Sequence, residues 1–281
     1  MDENEEKQMI IDFHTHIFPE KIAPRAIESL KDGVRRIEGI ESEAYTDATY
    51  DGLIKSMDEN GVDVSIVLPI VTNPEKPDGI NNYAQNVRNS RVLSLGSVHP
   101  MQKNAADAVR ELKSRGFIGI KMHPEFQHCY IDSPESLAVL KAAADEDMLV
   151  VLHAGADIGM PPPVHCPPER LKNALDYVDG SNIIAAHLGG WRMWEDVYDL
   201  LAGTPIYMDI AFIADYIGID LCRAIIKKHG AEKILFGSDS PWETPAHTLE
   251  FLYSLKLGNE AEEKIKYTNA KELLLRRGAH F

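Results

Sequence analysis

Two histidines lie two residues apart near the start of the chain, in Ile-Asp-Phe-His-Thr-His-Ile-Phe-Pro over residues 11–19. Along an extended strand successive side chains alternate between faces, so Asp12, His14 and His16 share one face and Phe13 and Thr15 the other. Two imidazoles aimed at one point form a metal-binding pattern, since neutral imidazole is the commonest protein metal ligand. The motif is short, and alone it reads equally well as two hydrogen-bonded core residues. The other histidines decide between these readings.

Apolar, β-branched runs recur along the chain, and polar residues sit at their ends. After the opening run come Val62–Val71, Val92–Val98, Phe117–Met122, Met148–Leu152, Asn182–Ala186, Pro205–Ala211 and Lys233–Phe236. His99 follows the third run, Lys121 and His123 close the fourth, His153 and His187 follow the fifth and sixth, and Asp239 follows the eighth. Of 11 histidines, six fall at such ends and His128 and His165 just beyond them, a clustering that favours a shared polar site. His14, His16, His153 and Asp239 are the candidate metal ligands, three imidazoles and a carboxylate. That mix suits zinc first, with manganese, iron or cobalt as alternatives, and one ion rather than two.

The elements that must position these groups alternate regularly. Amphipathic stretches are read at Asp47–Asn60, Asn81–Asn89, Asn104–Ser114, Pro134–Glu146, Pro168–Tyr177, Trp191–Leu201, Asp215–Lys228 and Pro245–Leu255. Eight strands alternating with helices at this spacing predict an α/β fold, a (β/α)8 or TIM barrel, whose chemistry sits at the C-terminal ends of the strands. A doubly wound open sheet has the same alternation, but no strand is followed by a Gly-x-Gly-x-x-Gly turn. Residues 18–50, with a helix from Glu20 to Leu30, are too long for an ordinary connection and predict an insertion over a pocket. Residues 260–277 predict one or two closing helices, residues 1–9 a disordered tail, and residues 10–281 a single domain.

Composition removes several classes of function. Twenty-nine basic against 44 acidic side chains give a formal charge of −15, which disfavours nucleic acid and anionic membranes. Three scattered cysteines, Cys129, Cys166 and Cys222, suggest neither a disulfide framework nor a cysteine-based zinc site, and fit a reducing cytoplasm. A small-molecule substrate is the partner expected. A homodimer or larger homo-oligomer stays open.

Taken together, Asp-Phe-His-Thr-His (12–16), Gly-Ile-Lys-Met-His-Pro (119–124), Leu-His-Ala-Gly (152–155), Ala-His-Leu-Gly-Gly (186–190), Phe-Gly-Ser-Asp-Ser-Pro-Trp (236–242) and Asn-Ala-Lys (269–271) resemble the amidohydrolase superfamily. The nearest branch is amidohydrolase 2, which includes aminocarboxymuconate semialdehyde decarboxylase, resorcylate decarboxylases and assorted hydrolases. The resemblance implies that His14, His16, His153 and Asp239 hold a divalent metal, with His187 beside it. It also implies that Lys121 stands where some superfamily members carry a carbamate bridging two metals, although an ordinary ammonium suits an anionic substrate better.

Hydrolysis of a small, possibly carboxylated amide, ester or lactone is the first expectation. Metal-bound water would be the nucleophile, Asp239 the proton acceptor, and His187 the group that polarises the carbonyl or shuttles a proton. Non-oxidative decarboxylation of a small carboxylic acid is the alternative, and an inactive metal-binding scaffold is a third class. Lys121, His123, Asp157, His165 and Trp242 are the candidate substrate contacts; five prolines stiffen the loop that carries Asp157 and His165. The Cys166–His165 pair is read as coincidental rather than nucleophilic.

Overall fold

The structure is a computed structural model that describes residues 9–281; apart from Met9, the tail expected over residues 1–9 lies outside the described residues. Among the described residues, nine strand segments make the eight staves of a parallel barrel. They are β1 (Ile11–Thr15), β2 (Val64–Val67), β3 (Val92–Ser94), β4 (Gly96–Ser97), β5 (Gly119–Met122), β6 (Leu149–Leu152), β7 (Ile183–Ala185), β8 (Tyr207–Asp209) and β9 (Ile234–Leu235). β3 and β4 are halves of one stave, interrupted at Leu95. One half pairs with β2 and the other with β5, so the strands run β1-β2-β3 and β4-β5-β6-β7-β8-β9. Backbone hydrogen bonds from Phe13 N–H to Phe236 O (2.8 Å), Asp239 N–H to His14 O (2.8 Å) and His16 N–H to Ser240 O (2.7 Å) join the first stave to the last.

Local chemistry explains where the helices begin. Thr49, Ser133 and Thr244 each accept a hydrogen bond from a backbone N–H in the first turn of the helix that follows, and proline opens the helices Pro134–Asp145 and Pro245–Ser254. The helix expected from Trp191 starts only at Trp194, because Arg192 has φ +59°, outside helical space, and it ends in a π-helical turn over Val197–Leu201. The helices pack on the barrel through one large apolar cluster that includes Ile120, Met122, Val150, Leu152, Met208 and Phe236. A second cluster of Ile11, Phe13, Ile66, Val151 and Ile184 is closed by Ala270, Leu273 and Leu274 from the C-terminal helix Asn269–Leu275.

The insertion after β1 differs from expectation in length. Its helix spans Ala23–Glu38 and runs straight through Gly33. Gly33 serves a close approach rather than a break: an added Cβ would meet the carbonyl oxygen of Gly159 at 3.1 Å, so the helix rests directly on the proline-rich loop. Arg192 Nη1 fastens the end of the same helix through Glu38 Oε1 at 2.7 Å.

Candidate metal centre and cavity

The alternation expected along β1 is broken. Its register against β2 slips by one residue between Asp12 and Thr15. Asp12 does not line the cavity; its carboxylate accepts from Ser238 N–H (2.9 Å) and Ser238 Oγ–H (2.6 Å), pinning the last stave to the first. Burial pushes Asp12 up to about 7 despite those bonds. The slip leaves His14 and His16 side by side, with Nε2 atoms 3.2 Å apart. Asp239 Oδ1 lies 3.3 Å from His14 Nε2 and 3.1 Å from His16 Nε2.

The other ring nitrogens show what this triangle lacks. His16 Nδ1 faces the Leu68 carbonyl at 2.9 Å, and a carbonyl only accepts, so Nδ1 carries the proton. His14 Nδ1 donates to Asp209 Oδ2 at 2.9 Å. Burial, reinforced by the charge of Lys121, holds His14 well below the usual histidine range, so its ring is neutral and Nε2 bears a lone pair. Asp239 is ionised: burial raises it, but the neighbouring imidazoles outweigh that and draw it to about 2. Nε2 of His14, Nε2 of His16 and a carboxylate oxygen of Asp239 thus converge within 3.3 Å of one another, the donor types a divalent cation takes.

His153 and His187 adjoin this cluster without joining it. His187 Nδ1 donates to Ala211 O at 2.8 Å, which leaves a lone pair on Nε2, 3.1 Å from His153 Nδ1. The opposite nitrogen of His153 faces the Ala156 carbonyl at 3.1 Å. His153, held well below its usual range by burial, has one proton for two acceptors. If Nε2–H donates to Ala156 O, Nδ1 offers a further lone pair beside the metal cluster. His187 and Leu188 take the left-handed region, with φ +58° and +53°, and the bond from His187 N–H to Asp209 Oδ1 at 2.9 Å helps to hold that conformation.

These groups form the floor of a cavity of about 720 Å³, roofed by the insertion. Lys121, His123, Asp157 and Trp242, the residues read as substrate contacts, line it, whereas His165 is absent from its wall. His165 instead ties the proline-rich loop down, its backbone N–H and Nδ1 meeting the buried Glu125 carboxylate at 2.5 and 2.7 Å. Lys121 is 1% exposed and, among the described residues, has no carboxylate in ion-pair contact. Burial lowers its ammonium to about 8 against the pull of Asp209, Asp239 and Asp157. His123 Nε2 faces Asp157 Oδ2 at 3.5 Å, and its ring stacks on Phe126 at 4.1 Å. Cys166 is fully buried and its thiol is pushed upward by that burial, unlike a nucleophile.

Three carboxylates escaped the sequence reading. Asp209 closes β8 and binds both His14 and the His187 backbone; its signal was a lone acid in the apolar run Pro205–Ala211. Glu125 follows His123-Pro124 and Glu243 follows Trp242, so each sits one or two residues past a motif that was recognised.

The sequence model of the amidohydrolase family, amidohydrolase 2, matches residues 11–276. Among curated proteins no sequence matches this chain. Solved structures of similar fold include an uncharacterised TIM-barrel protein from Bordetella bronchiseptica (TM-score 0.75, 17% identity, 96% of this chain and 100% of that one). Another is 5-carboxyvanillate decarboxylase from Sphingomonas paucimobilis (0.66, 14%, 95% and 99%). A third is dihydroxybenzoic acid decarboxylase from Polaromonas sp. JS666, with bound manganese and the inhibitor 2-nitroresorcinol (0.65, 15%, 97% and 98%). With its barrel, its converging imidazoles and a family match over nearly its whole length, this chain belongs to the amidohydrolase 2 family of metal-dependent enzymes.

Proposed function

We propose that the protein catalyses the non-oxidative decarboxylation of a small aromatic carboxylic acid at a single divalent cation, zinc or manganese. The carrying observation is Lys121, a buried ammonium on the cavity floor without a carboxylate in contact. Burying a cation costs free energy that an anionic ligand offsets, and a carboxylate is the anion that a point-charge donor fits. Three carboxylates act on Lys121 already, so an ammonium suits the site better than an anionic carbamate. Phe126, Trp191, Phe212 and Trp242 in the wall suit a planar ring. The similar folds described as decarboxylases of ring carboxylates point the same way.

His14, His16 and Asp239, with His153 as fourth donor, would hold the cation. When bound, it supplies a Lewis-acid centre for a substrate oxygen. Lys121 positions the carboxylate, His123 and Asp157 contact the ring substituents, and Trp242 packs on the ring. His187, fixed by its Nδ1–H bond to Ala211 O, presents Nε2 at the cavity wall, where it would shuttle a proton. The C–C electron pair stays on the ring carbon as carbon dioxide leaves, and that carbon then takes up a proton.

The test is release of labelled carbon dioxide from a panel of carboxyl-13C hydroxybenzoates by protein whose metal content has been measured. Asp239→Asn should abolish release while leaving the fold intact. Hydrolysis is the second reading, favoured by Asp239 being held ionised and so able to accept a proton from water. Turnover of esters, lactones or amides with no carbon dioxide from any acid would select it. A cytoplasmic location is part of the same proposal, supported by the three scattered, free cysteines.

A further inference from the structure

One wall of the cavity carries a chain of three titratable groups outside the metal cluster. Glu243, four residues past Asp239, is buried, and His247 follows it by one helical turn on Pro245–Ser254. Asp215 comes from a different segment, the loop after β8. His247 Nδ1 lies 3.2 Å from Glu243 Oε1, and its opposite nitrogen Nε2 lies 3.4 Å from Asp215 Oδ1. Thr248 Oγ1 donates to the same Glu243 oxygen at 3.1 Å, fixing the carboxyl from behind. All three residues line the cavity.

Their side-chain exposure rises stepwise, from 7% at Glu243 through 40% at His247 to 73% at Asp215. A surface ion pair needs no buried member and contributes little stability. A route between solvent and a closed site needs this gradient.

We propose that Glu243, His247 and Asp215 form a proton relay from the solvent-facing rim to the cavity, with Glu243 as the group that hands a proton to the substrate carbon. This rests on the decarboxylase reading, whose reaction consumes one proton per turnover. The C–C electron pair remains on the ring carbon, carbon dioxide departs, and the carbon takes its proton from the Glu243 carboxyl. The Glu243 carboxylate regains a proton from His247 Nδ1 while Nε2 takes one from water beside Asp215. The 40% exposed ring has room to turn and reset.

The electrostatics agree. Burial, with the negative charges of Asp215, Asp239 and Asp12, outweighs the Thr248 hydrogen bond and raises Glu243 to about 8, so it carries a proton at neutral pH. His247 is the remaining titratable group against it.

Two measurements on the metal-loaded protein test the relay. Infrared difference titration needs no substrate: a protonated-carboxyl band should disappear as pH rises through the range near 8, be missing from Glu243→Gln, and shift its midpoint in His247→Gln. In turnover, Glu243→Gln should lower kcat by about 10²-fold or more with little change in KM, and His247→Gly should lower kcat by roughly tenfold and recover with added imidazole. A wild-type band unchanged in Glu243→Gln would overturn the proposal, as would a kcat loss in His247→Gly that imidazole does not restore. If no acid on the panel is decarboxylated, the carboxyl titration still reports on the relay by itself, which separates its failure from failure of the decarboxylase reading.

Discussion

Asp209 holds two histidines at once. Its Oδ2 accepts the His14 Nδ1 proton at 2.9 Å and its Oδ1 accepts the His187 backbone N–H at 2.9 Å. One fully buried carboxylate therefore sets the tautomer of the His14 imidazole and the position of His187. Burial raises Asp209, and His187 and Lys121 oppose that rise. Removing such an outer partner typically costs 10- to 100-fold in metal affinity. Asp209→Asn, measured by competition with a coloured chelator, should weaken metal binding by about that factor with the barrel still folded by circular dichroism. An unchanged affinity would show that His14 is oriented by other contacts.

Metal removal should cost stability as well as activity. Only the folded chain brings the donor atoms of His14, His16 and Asp239 together, so a cation bound among them stabilises that state. At free metal about 100 times Kd the gain is about 2.7 kcal/mol, several degrees of Tm for a chain of this size. Scanning calorimetry of chelator-treated protein, with and without added zinc or manganese, measures it. A Tm indifferent to metal would count against the site.

The charge of Lys121 gives binding a pH dependence of known sign. Its ammonium is present below about 8 and lost above. Affinity for benzoate should therefore hold from pH 6.5 to 7.5 and fall as pH rises through 8, approaching tenfold per unit beyond it. Lys121→Met should weaken binding by about 10- to 100-fold at pH 7, as expected for a charge-assisted contact of about 1.5–3 kcal/mol, and flatten the profile. Calorimetric titration between pH 6.5 and 9.5 tests both. For stability the sign is opposite: the folded state sheds this proton before the unfolded chain does, so folding gains between about 8 and 10.5.

Gly155 offers a purely structural prediction. It has φ +84°, and a Cβ there would lie 2.2 Å from Trp191 N, where the chains after β6 and β7 pair. Gly155→Ala must push those segments apart, and with them His153 and His187. We expect a loss of about 4 kcal/mol or more, read by urea denaturation, and weaker metal binding in whatever folded protein survives.

The fold was legible because its signals are local and repeated. Apolar runs, proline and hydroxyl caps, and histidines at run ends report the barrel period without any long-range information. The convergence of His14, His16 and Asp239 could be read for the same reason, since each sits in a recognisable motif. Asp209 could not, because its partners are 195 and 22 residues away and nothing beside it in sequence is polar. His165 looked like a substrate contact from its place in a stiff loop. Its orientation depends on Glu125, 40 residues earlier, which no spacing rule connects to it. The helix expected from Glu20 to Leu30 stops short of Gly33 because Gly159, the residue that needs the missing side chain there, lies in another part of the chain.

That last contact separates two tasks within the molecule. The insertion helix is joined to the rest of the cavity at Gly33 against Gly159 and at Glu38 with Arg192, while the reacting groups hang from the barrel strands below. The roof is thus a replaceable part with defined mounting points. Exchanging residues 18–50 would redraw which molecules fit through the doorway and leave the machinery on the floor as it was.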